Sequence, residues 1–250
     1  MRFKDKTVIV TGAARGLAEK AARLIAAEGG SLVLGDLNIK RLQGVADSIN
    51  SGGGRATAVE VDVTSKKMIQ NMVDVAAKQH GRVDAIVNAA GGYLHYKGFV
   101  ETSEEEWQSI IDSNLKSVFL ACQAVLPIMV QQKYGRIVNI SSLAARTFSH
   151  FLGSHYTAAK AGVLGLTRHI AYEFGPKGIC ANAITPIAFR GERLSEIMTA
   201  EQEKAFIQMV PLRRIPEADD IAPAIVFLAS DEARFISGVT LDVNGAMVTA

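Results

Sequence analysis

A tyrosine and a lysine four residues apart, Tyr156 and Lys160, are the side chains in this sequence best suited to proton transfer. Residues at i and i+4 lie on one face of a helix, so the phenol and the ammonium can meet. A free tyrosine has a pKa of about 10, but a neighbouring cation favours the phenolate. We therefore expect Lys160 to lower the pKa of Tyr156 and make it a general acid/base. Alone, the pair is also typical of a solvated helix face.

Two further polar residues have candidate roles in the same chemistry. Ser142 ends the segment Asn139-Ile140-Ser141-Ser142, which follows an apolar run, and a hydroxyl at a strand end can orient a substrate oxygen. The alternative is a serine that caps or turns the chain. Asn114 lies in the middle of a predicted helix, where an amide is mildly unfavourable. It indicates either a local bend or bound water, or a role in relaying protons.

The segment TGAARGLA, residues 11–18, follows the first apolar run and opens a predicted helix. Glycines in a strand-to-helix turn let the backbone approach a pyrophosphate, which the free N–H groups of the helix then bind. We expect Gly12 and Gly16 to form such a turn. The alternative is a turn that needs small residues only for packing.

An acid at the end of the second run, Asp36, bears on the choice of cofactor. A carboxylate there accepts hydrogen bonds from the adenosine ribose and repels a 2′-phosphate, which predicts NAD rather than NADP. Arg15 complicates this prediction, because a cation in the glycine turn either attracts that phosphate or balances Asp36. Asp36 is also a candidate N-cap for a helix beginning near Ile39.

Polar residues also follow the third and fourth runs, as Asp62-Val63 and as Asn88-Ala89-Ala90-Gly91. These strand ends lie at the edge of an open α/β sheet where ligands bind, so both segments are candidate cofactor contacts. The alternatives are a turn or cap acid at Asp62, ahead of a helix near Ser65, and an Asx-type turn at Asn88.

Short β-branched runs alternate with longer segments of helical periodicity, which predicts the elements that position these residues. The runs are residues 7–10, 31–34, 56–61, 85–87, 136–140, 179–184 and 240–243. This alternation predicts an α/β fold of one domain, residues 1–250, with a mostly parallel, doubly wound Rossmann-like sheet covered by helices on both faces. Residues 187–210 are polar and helical in places, and we expect a movable flap there.

Composition excludes several classes of partner. The 250 residues are 48% hydrophobic with a net charge of +2, and scattered basic residues give no footprint for nucleic acid or anionic lipid. The first residues, 2–6, are mixed-charge and no apolar stretch approaches the roughly 18 residues of a membrane span, so we expect a cytoplasmic location by default. Cys122 and Cys180 have no ligand spacing, so we expect no disulfide and no metal site.

The segments described above resemble the short-chain dehydrogenase/reductase family, in order and over nearly the whole chain. The matching segments are TGAARGLA, Asp36, Asp62-Val63, NAAG at 88–91, Asn114, NISS at 139–142, YTAAK at 156–160 and NAITP at 182–186. The resemblance implies Tyr156 as acid/base, Lys160 as its pKa modulator and nicotinamide-ribose ligand, Ser142 as substrate orienter, and Asn114 as holder of a water. It also implies a seven-stranded sheet and a homotetramer.

From the strand ends and the resemblance together, we predict contacts with NAD along one groove. The predicted contacts are Gly12, Arg15, Gly16, Leu17, Asp36, Leu37, Asp62, Val63, Asn88, Ala89, Gly91, Tyr156, Lys160, Pro186, Ile187 and Phe189. The sequence departs from the family pattern at several places. Ala18 replaces a glycine of the turn, Ile187 the glycine after the proline, and Gly191 a threonine that often binds the nicotinamide amide. Near the C-terminus, Asn244-Gly245-Ala246 replaces Asp-Gly-Gly, and the segment from Ser142 to Tyr156 is one residue longer than the commonest spacing.

These features predict an NAD-dependent oxidoreductase that interconverts a secondary alcohol and a ketone. The alternatives are an NAD(P)H-dependent carbonyl reductase, such as a 3-oxoacyl thioester reductase, and a catalytically silent nucleotide-binding protein. We expect residues 92–96, 148–152 and 187–190 to line the substrate pocket, because they follow strand ends. Arg146, His150, His155 and Arg190 are candidate ligands for an acidic substrate, or ordinary surface arginines and packed histidines.

Overall fold

Apolar runs of the sequence form a seven-stranded sheet in the computed structural model, which describes residues 1–93, 95–149 and 151–248, the side chain of Ser195 excepted. The strands are β1 (Thr7–Thr11), β2 (Ser31–Asp36), β3 (Arg55–Glu60), β4 (Ala85–Asn88), β5 (Gly135–Ile140), β6 (Ile179–Pro186) and β7 (Thr240–Val243). The helices are α1 (Gly16–Ala27), α2 (Ile39–Ser51), α3 (Lys66–His80), α4 (Glu104–Ile111), α5 (Ser117–Gln132), α6 (Ser154–Phe174), α7 (Glu192–Ile197), α8 (Ala200–Met209) and α9 (Ala218–Ala229). Each predicted strand is present, with ends that differ from the prediction by at most two residues.

The strand order is β3-β2-β1-β4-β5-β6-β7, and every neighbouring pair is parallel. In the centre, Ile9 of β1 lies opposite Val33 of β2 on one side and Ile86 of β4 on the other. The chain winds outward from β1 to one edge and then returns to build the other half. This reversal opens a crevice at the carboxyl ends of β1 and β4. The predicted doubly wound α/β fold is therefore confirmed.

The central strands are buried on both faces because side chains alternate along a strand. Val8 and Val10 pack with α1, α2 and α9, whereas Ile9 packs with α3, α5 and α6 on the opposite face. All three side chains are fully buried. Each contributes roughly 1.5–3 kcal/mol by leaving water, which explains why these strands are continuous apolar runs in the sequence.

A continuous helical run of 29 residues, Glu104–Gln132, joins α4 and α5 through five residues of π-helix, Asp112–Lys116. By length and composition alone this run could cross a membrane, but half of its most apolar window is buried inside the fold. Val125 and Met129, for example, are fully buried in the core between α5 and the sheet. Its hydrophobic residues are therefore those of a core helix.

Residues 187–215, most of the segment between β6 and α9, are called the flap below. It folds into α7 and α8 around a small hydrophobic cluster of its own. The buried members of this cluster are Ile187, Leu194, Met198, Phe206, Val210 and Ile215. Phe151, from the loop before α6, packs edge-on against Phe206 with the ring centroids 6.0 Å apart. The helices that the sequence indicated here are thus present, and they are packed.

Near the C-terminus, an alanine occupies a left-handed backbone conformation. Ala246 has φ +67° and is exposed. This conformation costs a residue with a Cβ roughly 1–2 kcal/mol, a cost that glycine avoids. An alanine in place of the glycine of the family pattern therefore lowers the stability of the folded state at this position.

We predict that Ala246→Gly stabilises the protein by roughly 0.5–1 kcal/mol, because relief of the left-handed strain exceeds the added entropy of the unfolded chain. Urea unfolding measures the change. As a control, Ala205→Gly makes the same substitution at an exposed position of α8 and should destabilise by about 1 kcal/mol. Destabilisation by both variants would contradict the strain argument.

Candidate active site

The glycine turn between β1 and α1 contains two glycines with different roles. Gly12 has φ +71°, and a Cβ there would lie 2.9 Å from the backbone of Ala90, so Gly12 permits two chain segments to touch. Gly16 has φ +65°, and a Cβ there would meet only the Phe189 ring, at 3.9 Å. The space above Gly16 is therefore open toward the crevice.

The first turn of α1 presents backbone N–H groups to this crevice. The N-cap residue, Arg15, has an extended backbone, and its side chain does not cap the first N–H groups of the helix. Leu17 and Ala18 are buried at 6% and 4% exposure, so the small residue at 18 allows close helix–strand packing. The partial positive charge of the helix terminus is thus available to an anion.

Side-chain hydrogen bonds hold the ends of β1, β4 and β5 together. The Thr11 hydroxyl accepts from the backbone N–H groups of Ala89 and Ala90, each at 3.1 Å. Asn88 donates through Nδ2 to Asn139 Oδ1 at 2.9 Å, and Asn139 donates in turn to the Thr167 hydroxyl of α6. Asn88 therefore ties neighbouring strands to each other, and its side chain does not form the Asx-type turn considered above.

Asp36 lies against the glycine turn. Its Oδ2 accepts from the backbone N–H of Ala14 at 3.1 Å, and its Oδ1 accepts from that of Asn38 at 2.9 Å. Asn38, and not Asp36, is the N-cap of α2. Leu37 beside it is 65% exposed, at the rim of the groove.

Asp62 is used locally. Its Oδ1 accepts from both the backbone N–H and the hydroxyl of Thr64, at 2.8 and 2.7 Å, while Ser65 caps α3. This is the turn considered from the sequence, and it leaves the adjacent Val63 half-buried in the loop between β3 and α3.

Arg15 does not balance Asp36. Its guanidinium instead forms an ion pair with Glu192 at the start of α7, at 2.8 Å. Arg41, in the first turn of α2, binds the same carboxylate. The flap is therefore joined to the glycine turn by charges that the sequence analysis did not connect.

Tyr156, Lys160 and Ser142 meet at the carboxyl end of β5. Lys160 is buried and donates from Nζ to the carbonyl of Ile140 at 3.0 Å, which places Nζ 5.7 Å from the centre of the Tyr156 ring. The Ser142 hydroxyl lies near enough to the Tyr156 phenol to lower its pKa. Its oxygen also accepts from the backbone N–H of Ala144 at 3.2 Å, so Ser142 caps a turn as well.

The pKa of Tyr156 differs from the sequence-based expectation. Desolvation raises the pKa of Tyr156 above its ordinary value, and the Ser142 hydroxyl and the charge of Arg193 offset only part of that rise. Lys160 is not among the groups that lower it, and burial, and secondarily Arg193, lowers the pKa of Lys160 itself to about 8. The expected lowering of the Tyr156 pKa by Lys160 is therefore wrong for this arrangement: the phenol is protonated at neutral pH.

Asn114 is buried within the π-helical segment. Its Nδ2 donates to the carbonyls of Gly92, at 2.9 Å, and Ile110, at 3.1 Å. Its Oδ1 is buried without a hydrogen-bond partner among the described residues. A Cβ at Gly91 would lie 2.5 Å from this oxygen, so Gly91 leaves the space into which Oδ1 is directed. Asn114 thus lies in a local irregularity of the helix and also directs an unpartnered amide oxygen toward Gly91. Segments of π-helix are frequent at functional sites.

The sequence analysis missed a cation of the flap. Arg193 donates to the carbonyl of Gly91 at 2.8 Å, and its guanidinium lies 5.4 Å from the centre of the Tyr93 ring. Tyr93 is hydrogen-bonded to Glu196 of α7. The only signal in the sequence was the position of Arg193 within the predicted flap.

The flap residues predicted to contact the cofactor lie at different depths. Pro186 ends β6, Ile187 is buried at 5% exposure in the flap cluster, and the Phe189 ring lies above Gly16. Gly191 has room for a side chain, since a Cβ there would meet only Phe189, at 3.8 Å. Ile187, where the family pattern has a glycine, therefore adds a buried side chain to the hydrophobic cluster of the flap.

Most candidate ligands for an acidic substrate have structural partners. Arg146 pairs with Asp242 at 3.1 Å, and Arg190 pairs with Glu203 at 2.9 Å. His155 is 1% exposed and accepts from the backbone N–H of Tyr156, so it is a packed histidine. His150, and Leu94 of the predicted pocket, lie outside the described residues.

The remaining pocket candidates are divided between surface and core. Tyr96 and Phe148 are about three-fifths exposed, at 62% and 61%, whereas Phe151 packs into the flap cluster.

The cysteines Cys122 and Cys180 are both buried free thiols, and burial raises the pKa of Cys122 to about 12. Among the described residues, no group of three or more His, Cys, Asp or Glu side chains is placed to hold a metal ion.

Comparisons with known proteins cover nearly the whole chain. A family model described as enoyl-(acyl carrier protein) reductase matches residues 12–247. The 3-oxoacyl-(acyl-carrier-protein) reductase FabG of Thermotoga maritima is 32% identical over 248 residues, 99% of this chain and 100% of the relative. A short-chain type dehydrogenase/reductase from Mycobacterium ulcerans superposes with a TM-score of 0.94 at 28% identity, covering 99% of this chain and 91% of that one. The chain belongs to the short-chain dehydrogenase/reductase family.

Other members of the family match as fully. The FabG reductase of Escherichia coli K12 is 33% identical over 247 residues, 99% of each chain. A 3-oxoacyl-(acyl-carrier protein) reductase from Brucella melitensis with bound NAD superposes with a TM-score of 0.90 at 30% identity, over 100% of this chain and 93% of that one. The resemblance found from sequence motifs is confirmed, and the chain is an oxidoreductase of this family.

For this short-chain dehydrogenase/reductase, we predict that Gly12→Ala and Gly16→Ala act differently. Both glycines have positive φ, so each substitution costs roughly 1–2 kcal/mol of backbone strain. Gly12→Ala also forces a Cβ against Ala90 and should destabilise more in urea unfolding. Gly16→Ala should stay folded but bind NADH more weakly in a fluorescence titration, because its Cβ enters the open space. Unchanged NADH affinity in Gly16→Ala would remove the glycine turn from the cofactor site.

We also predict that Arg193→Gln raises the pKa of Tyr156, because a positive charge that favours the phenolate is lost. In a pH profile of alcohol oxidation, which needs the phenolate, the rise in rate should move to higher pH. Arg190→Gln on the same flap is the control, since Arg190 pairs with Glu203 and Glu217 and its profile should match the parent. A profile unmoved by Arg193→Gln would show that this cation does not act on the phenol.

Proposed function

We propose that the chain is an NAD(H)-dependent oxidoreductase that interconverts a secondary alcohol and a ketone. The observation that carries the proposal is the gathering of Ser142, Tyr156 and Lys160 at the sheet edge that also bears the glycine turn. A proton donor, a hydrogen-bond donor and a phosphate cradle at one edge are the groups that carbonyl reduction by a nicotinamide requires.

The groove has the features that a dinucleotide needs. Open space above Gly16 and the uncapped start of α1 suit the pyrophosphate. At Gly91 a Cβ would lie 2.5 Å from Asn114 Oδ1 and 3.6 Å from Lys160 Nζ, so the glycine lets both polar side chains approach the backbone after β4. We assign Lys160 to the nicotinamide ribose and the other predicted contacts to the same groove. When bound, the nicotinamide supplies or accepts the hydride.

The choice of NAD rests on Asp36. Its carboxylate lies at the end of β2 against the glycine turn, where it can accept hydrogen bonds from ribose hydroxyls and repel a 2′-phosphate. The Brucella melitensis reductase with bound NAD supports a dinucleotide of this kind in the same fold.

In the reductive direction, Tyr156 donates its phenol proton to the carbonyl oxygen, while Ser142 donates a hydrogen bond that stabilises negative charge on that oxygen. Because desolvation raises the pKa of Tyr156, the phenol holds its proton at neutral pH and is poised as an acid. Oxidation is the reverse: Tyr156 takes the hydroxyl proton, which higher pH favours. We assign the reprotonation path to Asn114, through a water held at its buried Oδ1.

A second candidate is the reduction of 3-oxoacyl thioesters. It is supported by the 3-oxoacyl-(acyl-carrier-protein) reductases of Thermotoga maritima and Escherichia coli, to which this chain is 32% and 33% identical along nearly their full length. The chemistry at Tyr156 is the same, so the two candidates differ in what the rest of the pocket accepts. A homotetramer and a cytoplasmic location complete the proposal and rest on the family resemblance.

We predict that Tyr156→Phe lowers kcat/KM by about 10²–10⁴-fold, the contribution of a positioned general acid/base, and changes the Kd of NADH little. Steady-state kinetics and NADH fluorescence titration measure the two quantities. Tyr172→Phe is the matched control, since Tyr172 lies on α6 and is 86% exposed. Parent-like turnover in Tyr156→Phe would end the assignment of Tyr156.

A panel of ketones, secondary alcohols and 3-oxoacyl thioesters, each assayed with NAD(H) and NADP(H), separates the two candidate reactions. Preference for simple ketones with NADH supports the first, and preference for thioesters supports the second. Transfer of labelled hydrogen from NADH to a product distinguishes both from a protein that only binds nucleotide, because such a protein binds NADH without transfer.

A further inference from the structure

The carboxylate of Glu192 joins three separate segments of the chain. Arg15 donates from Nη1 to Glu192 Oε2 at 2.8 Å, and Arg41 donates from Nη1 and Nη2 to both carboxylate oxygens at 2.9 and 2.6 Å. Arg15 belongs to the glycine turn, Arg41 to the first turn of α2, and Glu192 begins α7 of the flap. The three charges form a bridge from the flap to the end of β2.

The two arginines lie beside the acid proposed to select the cofactor. Arg15 follows Ala14, whose N–H binds Asp36, and Arg41 donates its backbone N–H to Asn38, whose own N–H also binds Asp36. An arginine close to this acid is the kind of residue that accommodates a 2′-phosphate. The chain therefore carries two cations suited to NADP next to an acid suited to NAD.

The two cations share the single charge of Glu192, and Glu196 lies 4.0 Å from Arg15 as a second carboxylate. Hydrogen bonds from Arg41 and then Arg15 hold the pKa of Glu192 down at about 2, so its carboxylate is charged throughout the physiological range. The three side chains are 38–51% exposed, and ion pairs with such exposure add little to folding stability. Their effect on a competing anion includes the charge of the carboxylate itself, which repels a 2′-phosphate that approaches either guanidinium.

We propose that Glu192 is a specificity-determining residue that withholds Arg15 and Arg41 from the 2′-phosphate of NADP. The inference rests on the proposed function and deepens it: Asp36 repels the phosphate, and Glu192 occupies the cations that would otherwise offset that repulsion. NAD, with a free ribose hydroxyl, leaves the bridge intact, and the flap stays joined to the glycine turn while NAD is bound.

Equilibrium titration with NADH and NADPH, followed by nicotinamide fluorescence, tests the inference without requiring turnover. Glu192→Gln keeps the size of the side chain but removes its charge. We expect the ratio Kd(NADPH)/Kd(NADH) to fall by roughly ten-fold or more, mainly through tighter NADPH binding, as charge-assisted hydrogen bonds form with the released arginines.

Two further variants locate the effect. Glu203→Gln removes the same charge from the ion pair with Arg190 in the flap and should leave the ratio within about two-fold of the parent. The double variant Glu192→Gln, Arg41→Gln should lose much of the gain, because one of the released cations is absent. These outcomes support the assignment of the effect to the bridge.

An unchanged ratio in Glu192→Gln overturns the inference. Equally weaker binding of NADH and NADPH also overturns it, because that result would show that Glu192 only holds the flap in place and does not select between the cofactors. The ratio in the parent protein reports separately on the proposed function: preference for NADPH there contradicts the choice of NAD, whereas the change caused by Glu192→Gln decides the role of Glu192.

Discussion

The parallel direction of the strands is the constraint on which the site depends. Because all seven strands run the same way, their carboxyl ends share one edge, and the reversal of strand order beside β1 opens a crevice there. Thr11, Asn88 and Asn139 then hold neighbouring strand ends in register through side-chain hydrogen bonds. Residues distant in the chain, such as Gly12 and Tyr156, are thereby brought to a common groove without any direct contact between them.

Burial at this edge has opposite effects on a neutral acid and on a cation. Desolvation favours the protonated phenol of Tyr156 and the neutral amine of Lys160, so both groups are shifted away from their charged forms. Arg193 lowers the pKa of both groups, since its positive charge favours the phenolate and disfavours the ammonium. The protonation state of the site is thus set jointly by the sheet edge and by the flap above it.

The sequence predicted the parts of the site that depend on local pattern. Strand ends placed Asp36, Asn88 and Ser142 at one edge, and the spacing of four residues placed Tyr156 and Lys160 on one helix face. These predictions needed only the strand periodicity and the geometry of an α-helix.

What the sequence did not predict depends on burial or on distant pairs. The direction of the Tyr156 pKa follows from desolvation, which no local pattern reveals. Glu192 meets Arg15 and Arg41 across 177 and 151 residues, and the flap that carries it has no strand periodicity to place it. Arg193 was missed for the same reason.

The hydrophobic cluster of the flap determines how this part of the molecule can move. Ile187 and Ile215, at its two ends, are both buried with Leu194 and Phe206, so the segment has an interior that a simple loop lacks. Opening by independent bending of each residue would expose that interior to water. The segment should instead move as a unit, and such a movement would also separate Phe206 from the Phe151 ring that packs against it.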